Sequence, residues 1–253
     1  MHRTFLAASF VVIASGILSA QTVINPEQTV TLSGSQSAGS TRYEVKGGTT
    51  MFEDAPGSAA GLLLRRDGGH LEFLNFATGA TATLNVLGGP GNGGRPGIVF
   101  FRGQATAGDA TINNGPGVLG SNFKNEVPNP TDGLGAQTRF EDAATAGTAQ
   151  FTNAGAIYYS SYGGAVVSFE GTSSAEQAAF TNRGATYYHQ YSYGGTTYFA
   201  DTAPAGSATF INEPGGAGIN EFGGGYTQFF ESSTAGTATF TNKGSTTFPG
   251  ELY

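Results

Sequence analysis

From Phe140 onward, apolar and polar positions recur on two scales. Locally they alternate: in Thr237-Ala238-Thr239-Phe240-Thr241-Asn242, Ala, Phe and Asn share one side and three threonines share the other. Ala149-Phe151-Asn153, Ala178-Phe180-Asn182, Ala208-Phe210-Asn212 and Ala110-Ile112-Asn114 repeat the arrangement. A period of two is the signature of a strand with one buried face. On the longer scale, Phe140, Phe169, Phe199 and Phe229 follow one another at steps of 29, 30 and 30, and each has a second Phe 11 positions later. Between the two phenylalanines stands a "TAG" or "PAG" turn, and a Gly follows the Asn where the chain turns a corner.

Three upstream stretches fit the same frame less closely. Phe101 aligns with Ile112, Phe73 with Leu84 and Phe52 with Leu63, again at steps of 11. The longer gap between Phe101 and Phe140 is assigned to the turn-rich insertion from Val127 to Gly133. Each copy reads as strand, short turn, strand, Gly corner and a third extended stretch such as 185–195. About seven such copies of roughly 30 residues predict an all-β, right-handed parallel β-helix (β-solenoid) with three sides. Coils about 4.8 Å apart would build a rod about 34 Å long, with Phe stacked on Phe and Asn on Asn. Propeller blades need about 40 residues and four strands, and a sandwich needs no in-register phenylalanines.

The first 20 residues break this pattern. A short basic start at His2-Arg3, an apolar run from Phe5 to Ile17 and Leu18-Ser19-Ala20 before Gln21 read as a cleaved signal peptide. The apolar run is shorter than the roughly 20 residues of a spanning helix, so no membrane span is expected in the mature chain. The chain therefore divides into a signal peptide (1–20), a segment leading into or capping the solenoid (21–50), and solenoid repeats (51–253). There is no Cys, so stacking of repeats must replace the disulfides that small secreted domains use. Charged residues make up 11% of the chain against about 25% in an ordinary one. Loss of Arg3 with the leader moves the formal charge from −7 to −8, which argues against nucleic acid and anionic membranes as partners.

The string F-x-[DE]-x-x-x-A-G-x-A-x-F-x-N-x-G, as at Phe140–Gly155 and Phe229–Gly244, resembles a repeat of bacterial autotransporter passenger domains. The likeness runs from Met51 to about Gly244. It implies a β-helix exported from a Gram-negative bacterium and displayed on its surface, ahead of a C-terminal outer-membrane barrel. No barrel-like alternation is read before Tyr253, which leaves a fragment and a free-standing secreted relative both open.

Candidate chemistry is sparse. His70 and His189 belong to different copies, and no His or Cys cluster suggests a metal site or a nucleophile–base pair. Gly89, Gly91 and Gly94 match G-x-G-x-x-G but are flanked by Pro90 and Pro96 with no helix pattern after them, so no nucleotide is expected. No cofactor is expected either. Acids recur just after the leading Phe, at Glu53, Asp54, Glu141, Asp142, Glu170, Asp201 and Glu231. Stacked coils would bring such carboxylates within about 5–10 Å of one another, as glycosidases and calcium-dependent lyases require. Gly171 interrupts the column, and no Lys or Arg is expected beside it. The tyrosines are the better binding candidates: Tyr158, Tyr159, Tyr162, Tyr187, Tyr188, Tyr191 and Tyr193, with Tyr198 and Tyr226 nearby. Rigid amphipathic rings suit an extracellular glycan or a protein surface; the same rings, stacked across coils, would also stabilise an exposed face. Two readings follow. One is a secreted, non-enzymatic structural or adhesive module; the alternative is a polysaccharide-active enzyme or carbohydrate-binding module.

Overall fold

The computed structural model describes residues 21–46, 50–53, 62–65, 68–89, 94–117, 134–157, 163–186, 193–216 and 223–244. Every element among them is a four-residue strand, short because a turn or a Gly corner follows each time. Two parallel sheets carry the fold. The first holds β2 (Thr29–Leu32), β6 (His70–Phe73), β8 (Ile98–Phe101), β10 (Gln137–Phe140), β12 (Val166–Phe169), β14 (Thr196–Phe199) and β16 (Tyr226–Phe229). The second holds β1 (Gln21–Ile24), β3 (Arg42–Val45), β7 (Thr83–Val86), β9 (Thr111–Asn114), β11 (Gln150–Asn153), β13 (Ala179–Asn182), β15 (Thr209–Asn212) and β17 (Thr239–Asn242). The chain passes from one sheet to the other and returns one level higher, so the molecule is a parallel β-solenoid of seven coils.

Among the described residues each coil carries two strands, and between them lies a column of single parallel bridges, as at Thr78↔Thr106↔Thr145↔Ser174, inside the short turn. The third stretch, as at 185–195, falls largely outside the described residues. The copy placed at Phe52 and Leu63 is not a coil: β4 (Thr50–Glu53) and β5 (Leu62–Arg65) pair antiparallel as a hairpin apart from both sheets. The first coil is instead Leu32 and Tyr43, 11 residues apart, whose strands pair in register with those of Phe73 and Leu84. The hairpin interrupts the repeat between them. Residues 118–133, which include the expected insertion from Val127 to Gly133, lie outside the described residues.

Alternation places the leading aromatic of each copy inward, and parallel in-register pairing then stacks it on its equivalent. Phe73, Phe101, Phe140, Phe169, Phe199 and Phe229 form one column, with centroids 4.6–4.9 Å apart and ring planes within 8° of parallel. Phe151, Phe180, Phe210 and Phe240 form a second at 4.6–5.0 Å. Across the core the two columns meet edge to face at 5.9–6.0 Å, as at Phe169 and Phe180. Small alanines such as Ala144, Ala146 and Ala149 fill the narrow end beside them.

A polar ladder runs beside the second column. Asn114, Asn153, Asn182 and Asn212 are buried, and each amide nitrogen donates to the next carbonyl oxygen up to Asn242, at 2.8–2.9 Å. Thr138, Thr197 and Thr227 on the first sheet donate across the core to Asn114, Asn182 and Asn212. A buried amide left unpaired costs about 1–3 kcal/mol, so the ladder holds the register as well as the coil. Ile24, Val45 and Val86 occupy the same inward column in the first coils, where the ladder is absent. The Gly corners answer to space, because the coils approach closely there: a Cβ on Gly194 would lie 2.0 Å from the Gly224 carbonyl oxygen.

Phe169→Ala, between stacked neighbours on both sides, is expected to cost about 3–5 kcal/mol in urea unfolding. Phe240→Ala, at a residue 38% exposed, should cost less; equal losses would contradict the stacked core.

Candidate binding face

The acidic column proves to be a seam between coils. The second residue after each first-sheet strand has positive φ: Gly34, Asn75, Gly103, Asp142, Gly171, Asp201 and Glu231, at +54° to +72°. Gly, Asn and Asp tolerate this left-handed conformation best, which explains why Gly171 interrupts the acids. Each carboxylate here accepts the backbone N–H of its neighbour one coil down. Asp142 takes that of Gly103 at 3.0 Å, Asp201 that of Gly171 at 2.7 Å and Glu231 that of Asp201 at 2.8 Å.

The acids one position earlier are paired too. Contrary to expectation, a cation lies among them. Arg102 Nε donates to Glu141 at 2.7 Å and its Nη1 to Glu72 at 3.4 Å, while its guanidinium caps the Phe100 ring at 3.9 Å. Glu170 accepts the Tyr198 hydroxyl at 3.0 Å. Burial pushes the Tyr198 phenol above its ordinary value, and the charge of Glu170 adds to the rise. Of the remaining acids, the side chain of Glu53 and the whole of Asp54 fall outside the described residues. Among the described residues no group of three or more His, Cys, Asp or Glu side chains is placed to hold a metal ion.

Six of the seven singled-out tyrosines, Tyr158, Tyr159, Tyr162, Tyr187, Tyr188 and Tyr191, lie outside the described residues. The seventh, Tyr193, is half-buried and helps to line a groove of about 380 Å³ on the outer side of the first sheet. Tyr226, Leu134, Gln137, Val166 and Thr196 line it as well. Gln137, Val166, Thr196 and Tyr226 hold the same register position in β10, β12, β14 and β16. The groove therefore runs along the solenoid across four coils, floored by outward side chains at the start of each strand. Beside it, Tyr198 meets the exposed Phe230 ring edge to face at 6.3 Å. Of these groove residues the sequence pattern marks only the tyrosines. The others differ in type from coil to coil, and only the register lines them up.

No family model, no curated protein and no solved structure matches this chain. Among the described residues no helix is long and apolar enough to cross a membrane.

At Asp201 the left-handed corner predicts an order of stability. Asp201→Gly loses the carboxylate contact but accepts the backbone shape, whereas Asp201→Val loses both and adds strain of about 1–2 kcal/mol. Thermal melts should rank wild type, Gly, then Val; a Val variant as stable as the Gly variant would contradict the corner geometry.

Proposed function

We propose that this chain is an exported, non-enzymatic β-solenoid module, structural or adhesive, that binds a glycan or protein through its tyrosine-bearing face. The observation that carries this reading is the groove on the first sheet. It runs across four coils, floored by the first residues of four strands and bordered by Leu134, Tyr193 and glycines of the adjoining corners, and it carries the rings of Tyr193 and Tyr226. Such a surface offers contact area at little entropic cost. Export, surface display and a Gram-negative source rest on the leader at 1–20 and the likeness to autotransporter passenger repeats.

A polysaccharide-active enzyme is the second reading, favoured by the Glu72–Arg102–Glu141 cluster. Against it, both carboxylates are bound to Arg102 and neither lines the groove. Asp142, Asp201 and Glu231 are likewise engaged in holding coils together.

The mature chain on a glycan array, followed by a reducing-sugar assay on every glycan retained, separates the two. The proposal expects retention of at least one glycan class, or of a protein ligand in a parallel screen, without product release. Release of sugar that disappears in Asp142→Ala or Asp201→Ala, with the fold intact by circular dichroism, would instead establish the enzyme.

A further inference from the structure

Arg139 sits on the outer face of β10, two residues after the groove residue Gln137. Its Nη2 and Nε donate to the Gln137 side-chain oxygen at 2.7 and 3.1 Å, so the guanidinium is held against a groove residue although Arg139 does not itself line the groove. It lies 5.9 Å from the Phe100 ring centre and close enough to Tyr198 for its charge to act on the phenol. Arg139 is half-buried, yet, unlike Lys46, Arg102 and Lys243, it forms no ion pair with a described residue. A half-buried guanidinium whose acceptor among the described residues is one neutral side-chain oxygen retains donors for a further acceptor.

We propose that the groove takes a linear acidic polysaccharide, with sugar rings against Tyr193 and Tyr226 and a uronate carboxylate on Arg139. This rests on the glycan-binding reading above and specifies its ligand. Four register-equivalent positions span about 14 Å along the axis, room for a short stretch of an extended chain. Tyr rings present apolar faces with polar tips, and the Gln137 side-chain amide N–H groups can donate to sugar hydroxyls while its oxygen holds Arg139. Arginine supplies the planar fork that a carboxylate matches with two hydrogen bonds. An acidic peptide fits less well. A peptide gains most from a free strand edge, whereas β10, β12 and β14 are each paired on both sides along the groove.

The test titrates the mature chain with an oligogalacturonate, its methyl ester and poly-glutamate. It then repeats the titrations with Arg139→Gln and Arg139→Lys, with melting temperatures as the control for folding. The attraction is local to Arg139 in a chain of net negative charge, and the inference expects the uronate to bind and the ester to bind at least about tenfold more weakly. Arg139→Gln should lose about the same factor at an unchanged melting temperature, and Arg139→Lys should keep part of the affinity. If the ester binds as well as the acid and Arg139→Gln changes nothing, the acidic ligand is wrong while glycan binding stands. If poly-glutamate binds with the same dependence on Arg139, the ligand is an acidic protein and the glycan assignment falls. If none binds and an array retains no other glycan, the glycan-binding reading falls with it.

Discussion

In-register parallel pairing of each coil on the one below is the constraint from which the rest of the structure follows. It sets a spacing of 4.6–5.0 Å between equivalent rings and leaves each inward position stacked on the same position of its neighbours. A residue is therefore acceptable there only if it packs against the equivalent residue of the next coil, which from Asn114 onward is usually its own kind. Phenylalanine does so by stacking, asparagine by donating to the next asparagine, and glycine by adding no side chain where backbones close to contact. The chain has no disulfide to fall back on, and these columns provide the cohesion that one would otherwise supply.

The same constraint governs the outer surface, with different consequences. Outward positions are free of the core, so their residue types change from coil to coil. Glu72, Phe100, Arg139, Ser168 and Tyr198 occupy one such column. Carboxylates at the corners serve the stack by holding backbone N–H groups of adjacent coils. Arg139, Gln137 and the groove tyrosines are not needed for stacking, and variation of this kind on a rigid scaffold is where recognition can be placed.

Much of the fold was legible because identical residues must recur wherever coils stack. The step of 11 between inward aromatics located both sheets from Phe73 to Phe240, and the asparagine ladder followed from Asn114, Asn153, Asn182 and Asn212. The first coil was missed because Leu32 and Tyr43 pack as well as phenylalanine without resembling it. Phe52 and Leu63 carry the right spacing by chance and belong to a hairpin. The acidic column was visible, but its cause was not, since a left-handed φ and a contact to the coil below leave no mark on composition. The groove was only half legible. Tyrosine can be counted along a chain, whereas Gln137, Val166 and Thr196 become neighbours only through the register.

The most direct test of that register uses the absence of native cysteine. Thr152 and Thr181 are paired residues on adjacent coils, whereas Thr152 and Thr241 lie three coils apart. In-register pairing sets the first pair about 4.8 Å apart at Cα, inside the range of about 4.4–6.8 Å that a disulfide spans. The account predicts that Thr152→Cys with Thr181→Cys forms an intramolecular disulfide under mild oxidation while Thr152→Cys with Thr241→Cys stays reduced. Equal cross-linking of both pairs, or of neither, would contradict the stacked solenoid.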